Sequence, residues 1–153
     1  MTRLPPTRIS SPEELTRFMC GGTMGEHLGI VFTEMGPQTL VGRMPVGPAT
    51  HQPMGHLHGG ASVALAETVG SLAGWLALPD PTRQACVGLE VNANHLRPVK
   101  SGHVQARATP LHLGRRTHVW DIRVTHEETG ALVCVARLTL AVVDLEPPSP
   151  AAA

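Results

Sequence analysis

Tyrosine is absent from the 153 residues, and the aromatics come to two Trp and two Phe. So sparse a set offers no aromatic surface for stacking bases, which argues against single-stranded nucleic acid as a partner. An excess of one charge is missing too, with 12 Lys and Arg against 12 Asp and Glu. A balanced chain has no general field to draw in nucleic acid or a membrane surface. Cysteine is scarce. Cys20, Cys86 and Cys134 are scattered, odd in number and form no Cys-x-x-Cys pair. This argues against a disulfide framework and a zinc site and fits a reducing compartment. The opening Met1-Thr2-Arg3-Leu4-Pro5-Pro6 has no apolar core of a signal peptide, so a cytoplasmic location is expected.

What is present centres on one stretch. From Gly59 to Leu78 the residues are small or apolar all round, and Pro79-Asp80-Pro81 ends the run. At ~1.5 Å per residue this is about 30 Å of helix. Apolar residues on every side predict a buried helix, while interruptions by Gly, Ser, Thr and Glu argue against a membrane span. Between His58 and Asp80 its one ionisable side chain is Glu67. Burying a lone carboxylate is costly unless it is paired or hydrogen-bonded, so Glu67 requires an explanation.

The length suits one domain with a real core. Residues 1–10 read as a flexible lead-in, 11–145 as the folded domain and 146–153, rich in Pro and Ala, as a disordered tail. Ser11-Pro12-Glu13-Glu14 predicts a helix over 12–20, with Ser11 as cap, Pro12 in the first turn and Glu14 completing a capping box. Residues 28–35 and 39–46 read as strands joined at Gly36-Pro37-Gln38. A long loop over 47–57 leads into the central helix. Strands alone follow it: 86–96, 103–111, 117–126 and 131–145. Along 103–111, Val104, Ala106 and Ala108 alternate with Gln105, Arg107 and Thr109. The order predicts an α+β fold, one antiparallel sheet wrapped around a buried helix. A second subunit is the economical cover for the helix's remaining side, so an oligomer is expected.

At the helix head, His58-Gly59-Gly60 lets a ligand approach the backbone closely. The first amides of a helix have no intrahelical acceptor and carry the positive end of its dipole. They can hold an anion or polarise a carbonyl oxygen. Glu67, two turns on, could attack such a carbonyl or activate a water to do so. On residue pattern alone, a structural pairing of Glu67 with an Arg or His is an equal reading. His51, His56 and His58 have no acidic or Cys partner at a metal-binding spacing, and Ser62 and Ser71 lack a nucleophile-elbow context.

Taken in order, Gln52-Pro53, Leu57-His58-Gly59-Gly60-Ala61-Ser62-Val63, Leu65-Ala66-Glu67, Val87-Gly88-Leu89-Glu90, Asn92-Ala93-Asn94-His95, Leu111-His112-Leu113-Gly114 and Val119-Trp120 form a set. In these the chain resembles the hotdog-fold acyl-CoA thioesterases, in the 4-hydroxybenzoyl-CoA thioesterase branch that carries a helix glutamate. Within that branch it looks closest to the 1,4-dihydroxy-2-naphthoyl-CoA hydrolases of menaquinone synthesis. The resemblance covers most of residues 11–145. It implies a long helix wrapped by a curved antiparallel sheet, dimers with continuous sheets and sites at the subunit interface, and pairing of dimers into a homotetramer.

Residue by residue, the resemblance makes Glu67 the catalytic carboxylate and Gly59 the amide that polarises the thioester carbonyl. It sets Gln52 and His58 around the thioester and water, and Ser71 beside the carboxylate. Arg115 and Arg116 match a nucleotide-binding loop, and His95 and Arg97 a second basic edge for coenzyme A. The implied reaction is hydrolysis of an aromatic acyl-CoA with no metal or redox cofactor. The rivals are a broad aryl- or phenylacetyl-type thioesterase, a hotdog dehydratase and a non-catalytic acyl-CoA-binding protein. A dehydratase favours a catalytic His working with an acid at the β-carbon. A carboxylate following a glycine-rich amide head suits attack at the carbonyl better.

Overall fold

A computed structural model describes residues 9–145. The expected lead-in falls mostly, and the expected tail wholly, outside the described residues. Helix α1 (Pro12–Met19) begins where Ser11 accepts from the Glu14 amide. The reciprocal bond is one residue out from the expected capping box. The Glu14 carboxylate accepts from the amide and hydroxyl of Ser10, at 2.9 and 2.8 Å. A short helix that the sequence pattern did not signal, α2 (Met24–His27), is capped by Thr23. Strands β1 (Val31–Gly36) and β2 (Thr39–Pro45) pair across the two-residue turn at Pro37-Gln38. Helix α3 (Gly59–Leu76) is the central element. It is followed by β3 (Gln84–His95), β4 (His103–Leu113), β5 (Thr117–His126) and β6 (Leu132–Asp144).

The six strands form one antiparallel sheet in the order β1-β2-β4-β5-β6-β3. Its inner face presents the alternating residues, Val104, Ala106 and Ala108 among them, and all three are fully buried. Against them α3 lays Leu65, Ala66, Val69 and Ala73. The helix comes very close to the sheet. A side chain at Gly70 would stand 2.7 Å from Leu138, so only hydrogen fits there. Trp120 is the largest wholly buried side chain, and its indole N–H has no acceptor among the described residues. Beside it Cys86 lies 3.8 Å from His118. Burial pushes the Cys86 thiol up to about 11 and holds the His118 imidazole below its ordinary value, so both are neutral at pH 7.

Two features position the site. Strand β3 forms one edge of the sheet, with Val87 50% and Leu89 63% exposed. Its pairing with β6 slips between Gly88 and Glu90, which makes Leu89 a bulge. A single chain covers the helix on one side only; the cover expected for the other side was a second subunit. One side of α3 packs on the sheet, while Glu67 is exposed on the other. No helix among the described residues is long and apolar enough to cross a membrane.

Candidate active site

The loop before α3 is held where backbone groups find partners. His58 N–H donates to Thr50 O at 2.8 Å, Leu57 N–H to Val99 O at 2.7 Å, and Gln52 N–H to His56 O at 2.8 Å. These bonds set the angle at which the chain enters the helix. At the head, the amides can be accounted for one by one. The Gly60 amide donates to His58 Nδ1 at 2.8 Å, and those of Ala61 and Ser62 donate to His58 O at 3.0 and 3.2 Å. The Gly59 amide has no acceptor among the described residues. One strong donor at the positive end of an eighteen-residue helix is therefore free.

His58 serves as the N-cap, and its Nδ1 is committed to the Gly60 amide. It lies outside the cleft at the helix head. That cleft, about 500 Å³, is lined by Gln52, Met54, His56, Gly59, Ser62, His95 and Arg97, with Leu57, Leu96, Pro98 and Val133 as apolar wall. The Gln52 side-chain oxygen accepts from the Met54 amide, which leaves its NH2 group to donate elsewhere. Sequence reasoning set His95 and Arg97 on one basic edge, and they do stand together. His56 and Ser62 also line the cleft and had no functional signal of their own. Arg97 donates to Leu132 O at 2.8 Å, which fixes the end of β3.

Glu67 and Ser71 share a second cleft of about 430 Å³ on the same helix. Its walls are Met19, Met24, Ala64 and Leu72, with the hydroxyls of Thr23 and Thr68. Thr23 and Met24 of this wall, at the start of α2, were missed in the sequence because a four-residue helix carries no periodicity. The Glu67 carboxylate hangs over the β3 bulge, with Oε1 3.1 Å from where a side chain at Gly88 would begin. It makes no ion pair or hydrogen bond among the described residues. The structural pairing with an Arg or His is therefore not seen among the described residues.

Arg115 and Arg116 sit on the β4–β5 turn and line neither cleft. Arg116 O accepts from Val142, which is registered with Cys86 on β3, whereas His95 is registered with Cys134. Eight residues of β6 separate these points, about 27 Å of strand. One chain thus holds its two basic edges at opposite ends of the sheet. Among the described residues no group of three or more His, Cys, Asp or Glu could hold a metal ion.

Three comparisons bear on this arrangement. The model of the Thioesterase superfamily matches residues 54–133. The proofreading thioesterase EntH of Cronobacter sakazakii is 51% identical over 122 residues, 80% of this chain and 87% of that protein. Among solved structures, a thioesterase from Haemophilus influenzae superposes with a TM-score of 0.86 at 48% identity, covering 93% of this chain and 96% of that one. A mutant thioesterase from Pseudomonas aeruginosa superposes with a TM-score of 0.84 at 49% identity, covering 90% and 98%.

Proposed function

The chain belongs to the thioesterase superfamily and has its hotdog fold, and from that membership we propose an aromatic acyl-CoA as its substrate. It is a thioester hydrolase, and acyl-CoA thioesterase activity agrees with its relatives. The observation that carries the reading is a Gly59 amide without an acceptor among the described residues, set on the same helix as a Glu67 that has no partner among them either. The amide polarises the thioester carbonyl, and the carboxylate attacks it or takes a proton from the attacking water. Ser71, one turn beyond Glu67, orients the carboxylate or the water, and Gln52 donates to the substrate near the carbonyl. His58 contributes by capping the helix and leaving Gly59 free.

One chain does not bring these groups onto one carbonyl. Gly59 and Glu67 are eight residues apart, about 12 Å along the helix, and they face different clefts. The exposed β3 edge supplies a remedy, because a second copy can pair along it antiparallel. A two-fold axis through Asn92 pairs that residue with its own copy and, with Leu89 left out of the pairing, sets Gly88 opposite His95. It sets the Glu67 of a second copy, which hangs over Gly88, opposite this chain's His95 and Gly59. The same axis carries the second copy's Arg115 and Arg116 toward Arg97. The thioester then lies at the join, with coenzyme A along the Gln52–Arg97 cleft and the acyl group in the cleft beside Glu67. Arg97, Arg115 and Arg116 take the phosphates. By family resemblance, two such dimers form a homotetramer, which light scattering checks as a mass of four chains.

The acyl group we propose is 1,4-dihydroxy-2-naphthoyl, placing the enzyme in menaquinone synthesis. Apolar walls with the hydroxyls of Thr23, Thr68 and Ser71 suit a hydroxylated aromatic. A specific observation favours the broader aryl or phenylacetyl reading. Met19 and Met24 are flexible thioethers that adapt to differently shaped acyl groups. Thiol release from naphthoyl, benzoyl, phenylacetyl and aliphatic CoA thioesters separates the two. The narrow reading expects a kcat/KM for the naphthoyl thioester at least about tenfold above the rest, a margin a site-built hydrogen bond supplies. Similar values across the aryl set support the broad reading, and no thiol release from any aryl-CoA refutes both.

Charge reversal of Arg115 and Arg116 together is expected to raise KM for a CoA thioester by about tenfold with kcat unchanged. The matching pantetheine thioester, which lacks the nucleotide phosphates, should show no such rise. Equal effects on both substrates would place these arginines outside the phosphate site.

A further inference from the structure

We propose that Met24 is the specificity-determining residue for the size of the acyl group, which it bounds from the wall facing α3. This rests on the reading that the acyl group lies in the cleft beside Glu67. It gives one side chain of that cleft a role apart from its neighbours.

The two walls of this cleft differ in make. Beside Glu67, α3 offers Ala64, Thr68 and Ser71, short side chains that leave space rather than fill it. The large apolar side chains on the cleft are Met19, Met24 and Leu72. Met19 and Leu72 pack against the hydrophobic core. Met24 stands outside that cluster and is 58% exposed. A change of size at Met19 or Leu72 is therefore felt in the core, where packing is close. A change of size at Met24 is felt in the cleft. Among the three, Met24 alone is free to set the dimensions of a bound group without serving the fold.

The backbone that carries Met24 is pinned on every side. The Thr23 hydroxyl accepts from the Gly25 amide at 3.2 Å and donates to Cys20 O at 2.7 Å. The Glu26 carboxylate accepts from the Gly22 amide at 2.7 Å. The Ile30 amide donates to Gly25 O at 2.8 Å, which ties the turn to the start of β1. Gly25 is buried so close to α1 that a side chain there would begin 2.9 Å from Cys20 Sγ. The turn has no slack with which to back away from the cleft.

An unbranched thioether on a fixed backbone has a definite range. It folds over a short acyl group and covers its apolar surface. It gives way to a longer one only as far as its own stem can swing. Met24 has no titratable group and takes no part in bond making. Its effect falls on the binding of the acyl group, and the coenzyme A end of the substrate lies in the other cleft. Discrimination between acyl groups should therefore move while recognition of coenzyme A stays.

The test measures thiol release from benzoyl, naphthoyl, butanoyl and decanoyl CoA with the unaltered enzyme, Met24→Ala and Met24→Trp. Met24→Ala is expected to raise the naphthoyl-to-benzoyl and decanoyl-to-butanoyl ratios of kcat/KM by at least about tenfold. Met24→Trp should lower both ratios by at least about tenfold. Free coenzyme A, as a competitive inhibitor, should bind the variants and the unaltered enzyme within about twofold. Melting temperatures should agree within about 3 °C, since Met24 is outside the core. The proposal is overturned if both ratios stay within about threefold in both variants, or if all substrates shift by one common factor. It is equally overturned if inhibition by coenzyme A weakens, or if light scattering shows a changed mass, which would make Met24 a contact between copies. An unaltered enzyme that releases no thiol from any of the substrates would instead refute the thioesterase reading, and this proposal with it.

Discussion

Replacing Glu67 by Gln is expected to lower kcat by at least about 100-fold, because a lost nucleophile or general base costs that much or more. The amide keeps the size and polarity of the carboxylate and takes only its charge and basicity. Glu67 is exposed and has no partner among the described residues, so the melting temperature should hardly change. Turnover within about tenfold of the unaltered enzyme would remove Glu67 from the chemistry. The proposed two-chain site gives the experiment a second arm. Glu67→Gln enzyme mixed and re-assembled with Gly59→Ala enzyme regenerates sites in which both groups are intact. Random pairing makes half of the dimers mixed, each with one whole site, so about a quarter of full activity should return. No recovery would mean that each chain supplies both groups to its own site.

The largest expected effect on stability is at Trp120, only 1% exposed and packed beneath α3. Trp120→Ala empties the biggest buried volume of the sheet's inner face and should cost about 3–5 kcal/mol. In a domain of this size that lowers the melting temperature on the order of 10 °C. Trp120→Phe should behave differently. It removes part of the ring but also the indole N–H, which is buried without an acceptor among the described residues. Losing an unsatisfied donor offsets part of the packing loss, so the phenylalanine variant should lose under about 2 kcal/mol. Calorimetry of both variants decides the matter. Equal losses would mean that the N–H has a partner in solution.

The fold was legible where the pattern was long. Strand β5 falls on the expected residues 117–126, and α3 begins at the expected Gly59. The missed element, α2, is one turn long and owes its place to the Thr23 cap and to contact between Gly25 and Cys20. The site was legible as a set of residue types but not as a geometry. A residue run cannot tell a helix side covered by its own sheet from one left for a second copy. Glu67, expected in a site between subunits, is exposed in the single chain. It also cannot tell which bonds His58 has already made, and so its capping role came out only when the head amides were followed. Arg115 and Arg116 lie far from Arg97 because hairpin turns alternate between the two ends of an antiparallel sheet. Neighbouring motifs in the chain can thus be distant in the domain.

The bulge at Leu89 has a consequence for how the sheet stops growing. A flat edge strand with exposed apolar residues is open to any extended segment, and unrelated chains can add to it without end. An irregular edge is selective. Its donors and acceptors are unevenly spaced around Leu89, so a strand pairs along its whole length only if it carries the same irregularity at the symmetry-related place. A second copy does, and a two-fold joint would then close with neither copy's β3 edge left free. Self-recognition would in this way end polymerisation rather than start it. Dilution to the point where copies part would then abolish turnover and uncover an aggregation-prone edge in the same step.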